Sequence, residues 1–285
     1  MTAAPGAVVA ADAAPATSLP GIAALPMYDW PALRRSNDIL WRAMAVALRD
    51  RGFDPPPALE RSRPEMEIWR DPGLLIAQTC GYPLVSELLH HVRPVATPCY
   101  AAEGCEGPLY SSHIVVRQDE AANRLSDMAG RVAAVNGAHS QSGCAALHHA
   151  CRACGGHKPF FAGSLISGGH LGSMRAVVEG RADVAAIDAV CWALARRHYP
   201  KLTGRLKSLG TTERAPGLPF VTAASRPDGE VALIREALAE CMADPCTRVA
   251  RGKLLIDGIE VVGTDSYRAA IVPLSPADLA RTIPL

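Results

Sequence analysis

Residues 135–143, VNGAHSQSG, carry the most specific chemistry in the sequence. An apolar run, Val132 to Val135, stops at Asn136-Gly137, and Ser140 and Ser142 then stand two apart before a helix-like stretch. Two hydroxyls, an amide and a glycine in one strand-to-helix turn leave backbone N–H groups free, where the helix dipole favours negative charge. That chemistry suits a small oxyanion. The same turn also reads as an ordinary cap, with Ser140 or Ser142 closing the first turn of the helix. Three more junctions have this character: PMYDWP with Tyr28, AQTCGYP with Thr79, Cys80 and Tyr82, and SGGHLGS with His170, followed closely by AAID with Asp188. Each has a structural reading of its own, as a half-buried tyrosine, a surface histidine or a capping aspartate. Their shared place, between strand ends and helix starts, is where ligands gather in open α/β sheets.

Patterns for covalent or nucleotide chemistry do not fit these turns. Neither serine has the flanking glycines of a nucleophile elbow, and no Gly-Lys-Ser/Thr phosphate loop or G-x-G-x-x-G fingerprint occurs at the junctions. HHACRACGGH (148–157) sets Cys151 and Cys154 at CxxC spacing beside His148, His149 and His157. No second ligand pair follows at the distance a zinc site requires. At helical spacing the two cysteines share a face, and they read most simply as packed against a sheet. No catalytic residue, cofactor or metal is therefore expected.

The elements that must position these turns alternate between strand and helix. Strands are expected at 21–27, 73–78, 111–118, 131–135, 183–187, 205–210 and 219–224, and helices at 36–52, 82–91, 142–154, 173–180, 188–198, 229–243 and 246–256. Such alternation predicts an α/β fold with mostly parallel, buried sheets flanked by helices. Crossings near 103–112 and 205–218, rich in Gly, Pro or polar residues, divide the chain into two lobes: 21–105 with 212–285, and 106–211. Residues 1–20, rich in Ala and Pro, read as a disordered tail.

Composition narrows the class further. The 285 residues are 49% apolar and 20% charged, and a net charge of +1 with interspersed signs offers no basic face for nucleic acid. No apolar stretch approaches the roughly 20 residues of a membrane-spanning helix. The first residues lack the basic start and unbroken apolar middle of a secretory signal, because Asp12 interrupts AVVAADAA. Nine scattered cysteines read as reduced thiols, which leans towards the cytoplasm.

From about Leu25 to about Asp265 the chain resembles the phosphonate/phosphite-binding, PhnD-like substrate-binding proteins of ABC transporters. The resemblance rests on LPMYDWP, LLIAQTCGYPL, YSSHIVVR, VNGAHSQSG and SGGHLGSMRAVVEGRADVAAID. It implies a type 2 periplasmic-binding-protein fold whose two lobes close by hinge motion on a phosphonate-, phosphite- or phosphate-like ligand. It implies an ABC permease as partner and a periplasmic location for such a component, with no nucleic acid, membrane insertion or enzymatic activity. It places ligand contacts at Asn136, Ser140, Gln141 and Ser142, with His170 and Asp188 in the cleft, Tyr28 and Tyr82 as aromatics, and Thr79 and Cys80 at the same junction. The family often has threonine where this sequence has Gln141. A cytoplasmic ligand sensor or an enzyme on the same fold is the alternative.

Overall fold

Strands buried on both faces and turns of small residues dictate the architecture. The computed structural model describes residues 21–155, 159–280 and 282–284, so the 1–20 tail and His157 lie outside the described residues. Along the chain, β1 (Ile22–Ala24), β2 (Leu74–Gln78) and β3 (Val92–Tyr100) begin a first sheet, and β4 (Cys105–Glu106) and β5 (Leu109–Tyr110) form a hairpin. A second sheet takes β6 (Ser112–Arg117), β7 (Val132–Val135), β8 (Gly163–Ile166), β9 (Val184–Asp188) and β10 (Leu206–Thr211). The short β11 (Ala215–Pro216) joins the hairpin, and β12 (Phe220–Ala223) and β13 (Ile256–Glu260) return to the first sheet. The orders are β1-β2-β12-β3-β13 and β10-β6-β9-β7-β8, with β11-β5-β4 between them. The two expected crossings are thus zipped together, Ala215 opposite Tyr110 and Pro216 opposite Leu109.

Helices cover the sheets: α1 (Arg34–Arg49), α2 (Glu65–Trp69), α3 (Gly81–Ser86), α4 (Ala146–Ala153), α5 (His170–Val178), α6 (Ala189–His198), α7 (Pro200–Thr203), α8 (Asp228–Ala243), α9 (Arg248–Leu254), α10 (Thr264–Ala270) and α11 (Pro276–Ala280). In α1, Leu40, Trp41, Met44 and Leu48 recur on one face and are buried. They share a core with Ile234, Leu238 and Cys241 of α8. The second sheet shows why its strands read as continuous apolar runs. Val115, Ala134, Ala185 and Ile187 belong to one buried cluster, while Ile114, Val116, Ala133, Val135, Val184 and Ala186 belong to another. Alternate residues serve opposite faces, and both faces are covered. Among the described residues, no helix is long and apolar enough to cross a membrane.

Three expectations need correction. The sheets are mixed rather than mostly parallel: β1–β2, β7–β8 and β7–β9 run parallel, and the other five pairings of the two large sheets are antiparallel. The chain returns from the second sheet through β11 into β12, which lies antiparallel between β2 and β3. The strand β3 had no counterpart in the sequence reading because Arg93, Pro94 and Pro98 break its apolar run. Finally, the helix expected to reach 256 stops at Leu254, where Leu255 takes φ +63° and the chain turns into β13.

The last residues pack away from the first sheet. Leu279 and Ile283 are buried with Val116, Leu147 and Phe161, the Phe161 N–H donates to the Thr282 carbonyl at 3.0 Å, and His148 Nδ1 lies 2.6 Å from Thr282 Oγ1. The terminal segment therefore straps the two lobes together. Cys151 is buried under this strap whereas Cys154 is exposed, so only the first of the CxxC pair packs inward. Both are free thiols.

Candidate functional site

Between the lobes lies a cleft of about 610 Å³. Its second-lobe wall is built from three strand ends. β7 ends at Val135, and Ser140 then opens a π-helical turn, Gln141–Ala145, that runs into α4. Ser140 is the cap: its Oγ accepts the Gly143 N–H at 3.0 Å, which leaves its own proton free to donate. Ser142 does not cap. Its Oγ lies 2.9 Å from Nε2 of His170, the first residue of α5, and its carbonyl accepts the Ser112 hydroxyl at 3.0 Å. Asn136 Oδ1 accepts the Ser173 hydroxyl at 3.1 Å, and a Cβ on Gly143 would sit 2.6 Å from Asn136 Cγ. Glycine is what allows the amide to lie over the turn.

Asp188 ends β9 and caps α6, its Oδ1 accepting the Cys191 N–H at 2.9 Å. Its Oδ2 accepts the hydroxyl of Tyr28, also at 2.9 Å, from the 3-10 turn Pro26–Tyr28 of the first lobe. This clasp reaches across the cleft and is fully buried. Burial pushes the Asp188 carboxyl up to about 6, against the pull of the Cys191 N–H, the Tyr28 hydroxyl and the Val190 backbone. Tyr28 is itself held well above its ordinary value, first by burial and then by the Asp188 charge. Burial pushes His170 down to about 4, opposed by the Ala186 backbone, so at neutral pH the ring facing Ser142 is uncharged. Its Nδ1 is buried without a hydrogen-bond partner.

Of the residues expected from sequence, the fold brings Tyr28, Cys80, Asn136, Ser140, Ser142, His170 and Asp188 together around the cleft. Cys80 lies at the start of α3, its thiol pushed up by burial although the backbone of Tyr82, Gln141 and Gly81 favours the thiolate. Three residues are placed elsewhere. Thr79 is fully buried, with its N–H on the Pro219 carbonyl at 3.1 Å. The Tyr82 hydroxyl accepts the Leu274 N–H at 2.8 Å, anchoring the start of the terminal strap. The Gln141 side chain lines a different cavity behind the turn.

Residues 74–268 match the family model for the phosphonate-specific periplasmic substrate-binding proteins of ABC transporters. The chain belongs to this family. No curated protein matches it. Among solved structures, the binding-protein component of an ABC phosphonate transporter from Pseudomonas aeruginosa, PA3383, superposes with a TM-score of 0.69 at 16% identity, covering 88% of this chain and 84% of that one. PhnD1 from Prochlorococcus marinus, solved in complex with methylphosphonate, gives 0.69 at 14% identity over 88% of this chain and 94% of that one. A histidine kinase sensor domain with similarity to periplasmic binding proteins gives 0.56 at 18% identity, covering 85% and 98%. These likenesses establish the two-lobed α/β fold.

In this phosphonate-binding-protein frame, several cleft residues escaped the sequence reading. The first-lobe wall is formed by Met27, Trp30, Glu65, Met66 and Trp69. Glu65, Met66 and Trp69 come from 53–72, where no element was expected, whereas Met27 and Trp30 stood inside the quoted stretch PMYDWP without a role. Burial raises the Glu65 carboxyl. Tyr110 stood inside a recognised stretch, YSSHIVVR, without a role. Its hydroxyl is buried with no hydrogen-bond partner, close enough to Ser142 to feel it but outside bonding geometry. Tyr110 is not among the described residues that line the cleft.

Proposed function

We propose that this chain captures a small phosphonate-like oxyanion in the interlobe cleft and delivers it to an ABC permease. The observation that carries this reading is the Ser142 hydroxyl, held by a neutral His170 in a cavity between two lobes. Oxyanion oxygens would accept from Ser142 and from the free proton of Ser140. No arginine or lysine is among the described residues lining the cleft, so hydroxyl and amide dipoles would carry the charge. The buried Asp188 carboxyl disfavours a fully deprotonated ligand and favours one bearing a proton. The Trp30 and Trp69 wall leaves room for an organic substituent beside the head group. The working units of this scheme are 21–105 with 212–285 as one lobe and 106–211 as the other, with the residues after Leu274 strapped across both.

Calorimetry against methylphosphonate, phosphite and phosphate tests the reading. Saturable binding of at least one ligand, weakened tenfold or more by Ser142→Ala, is expected. No binding of any of the three to the native chain overturns it. The likeness to a histidine kinase sensor domain favours a second reading, in which the same cleft reports a ligand instead of supplying a permease. Stimulation of a reconstituted permease by the loaded protein separates the two.

A further inference from the structure

The first-lobe wall of the cleft is assembled from two stretches that are distant in sequence. Met27 and Trp30 come from the turn at Pro26–Tyr28 and the residues just after it, whereas Glu65, Met66 and Trp69 belong to α2. Asp29, between Tyr28 and Trp30, is not among the described residues lining the cleft, and neither is Arg61. The two meet behind the wall. Arg61 Nε donates to Asp29 Oδ2 at 2.6 Å, and its Nη2 donates to Oδ1 at 3.2 Å. Asn37 of α1 donates to the same Oδ1 at 2.9 Å, and Asp38 Oδ1 lies 2.8 Å from Arg61 Nη2.

An isolated ion pair in water would fix little. This one differs, because the Asp29 side chain is only 11% exposed and the planar guanidinium engages both carboxylate oxygens at once. The chain beside Arg61 is also braced. Glu60 Oε1 accepts the Ser62 N–H at 2.6 Å and the Ser62 hydroxyl at 2.7 Å, and Arg63 Nη1 donates to Asp71 Oδ2 at 3.0 Å. Pro64 then leads into α2. A displacement of Arg61 is therefore passed to Glu65 and Met66, and one of Asp29 to Tyr28 and Trp30. We propose that the Asp29–Arg61 pair is a positioning device that locks the two stretches of the first-lobe wall together and so sets which organic substituent the cleft accepts. Neither residue touches the ligand. Selectivity for a substituent rests on the oxyanion reading of the cleft, whereas the spacing of the wall does not.

Two measurements on the full chain test the pair. With 5-fluorotryptophan in place of tryptophan, Arg61→Gln should shift the fluorine signals of Trp30 and Trp69 together and leave that of Trp192, on α6 of the second lobe, in place. By calorimetry, Arg61→Gln and Asp29→Asn should each weaken phenylphosphonate about fivefold through lost apolar contact, with methylphosphonate held within about twofold. Arg61→Lys, which keeps the charge and loses the fork, should behave as Arg61→Gln does. The double variant should lose no more than either single one, because both break the same contact. A fold loosened as a whole would instead weaken both ligands by the same factor. Unmoved Trp30 and Trp69 signals, equal losses for the two ligands, or additive losses in the double variant each overturn the proposal. If the native chain binds neither phosphonate, the oxyanion reading fails, and the fluorine signals alone decide whether the pair holds the wall together.

Discussion

The two walls of the cleft are made of different materials. The second-lobe wall is polar and short-range: Ser140, Ser142, His170 and Asp188 sit at the ends of β7, near β8 and at β9, within 3 Å of their partners. The first-lobe wall is broad and apolar, with Met27, Trp30, Met66 and Trp69 around a single acid, Glu65, at its exposed edge. Direct hydrogen bonds discriminate chemistry, whereas apolar area discriminates size. In the proposed reading the second lobe recognises the head group and the first lobe the remainder of the ligand. Tyr28 is the exception, a first-lobe hydroxyl that reaches across to Asp188.

The sharpest way to break this division is through pH. Asp188 keeps its proton up to about 6 in the folded chain against an ordinary value of 3.8, so its contribution to stability is present at low pH and lost as pH rises through 6. His170 behaves oppositely: folded it titrates at about 4 and unfolded at 6.5, so stability falls as pH drops below 6.5. Between about pH 4 and 6 the two slopes oppose each other, each worth about 1.4 kcal/mol per pH unit, or about 3 kcal/mol over the window. Relative to the native chain, Asp188→Asn should gain stability as pH rises from 4 to 6, and His170→Gln should lose it. Urea unfolding across this range measures both. Parallel profiles for Asp188→Asn and the native chain would mean that burial does not hold the carboxyl protonated.

The next effect in size is Ser142→Ala, expected to weaken methylphosphonate about thirtyfold, or about 2 kcal/mol, as for a hydrogen bond to a charged group. Ser140→Ala sharpens the contrast, since it removes both a proposed donor and the cap on Gly143. It should lower thermal stability by about 1 kcal/mol besides weakening binding, whereas Ser142→Ala should cost about 1–3 kcal/mol because it leaves the buried His170 ring without its hydrogen-bond partner. A melting loss on Ser142→Ala that persists unchanged in a His170→Phe background would contradict the partnership that the turn assigns to Ser142.

The polar wall was legible in the sequence because its chemistry is local. Hydroxyls, glycines and an aspartate cluster within a few residues at strand ends, and such ends converge in any open α/β sheet. The apolar wall was not legible, because Met27, Trp30, Met66 and Trp69 come from segments without a shared period and meet only through tertiary packing. Gln141, Thr79 and Tyr82 show the limit from the other side. They stand beside cleft residues in the chain, yet Gln141 faces the rear cavity, Thr79 lies in the core and Tyr82 anchors the terminal strap. Sheet direction was hidden for a related reason: strands buried on both faces look alike whichever way they run, and the two prolines in β3 concealed the strand that completes the first sheet. The strand-to-helix turns themselves could be read directly from glycines, prolines and hydroxyls.

Trp30 tests the apolar wall by itself. It is half-buried and stacks edge-on against Tyr199 at 5.8 Å, so its removal costs less internally than that of Trp69, whose Nε1 donates to the Gln78 carbonyl. Trp30→Ala should weaken phenylphosphonate about fivefold, roughly 1 kcal/mol of lost apolar burial, and leave methylphosphonate within twofold. Equal losses for the two ligands would show that Trp30 shapes the head-group pocket, and the division between the walls would fail.

The smallest expected effect lies at the mouth of the cleft, where His139 Nδ1 approaches Glu87 Oε1 at 3.1 Å. This pair crosses between the lobes just as Tyr28 and Asp188 do, but the His139 side chain is 71% exposed. An exposed pair is screened by water and salt and is worth about 0–1 kcal/mol, far less than a buried clasp of similar length. His139→Ala should therefore change methylphosphonate affinity less than about twofold, and any change should vanish at high salt. A tenfold loss that persists in salt would place lobe closure at the rim. The buried clasp would then be a consequence of closure, with the rim pair holding the two walls together.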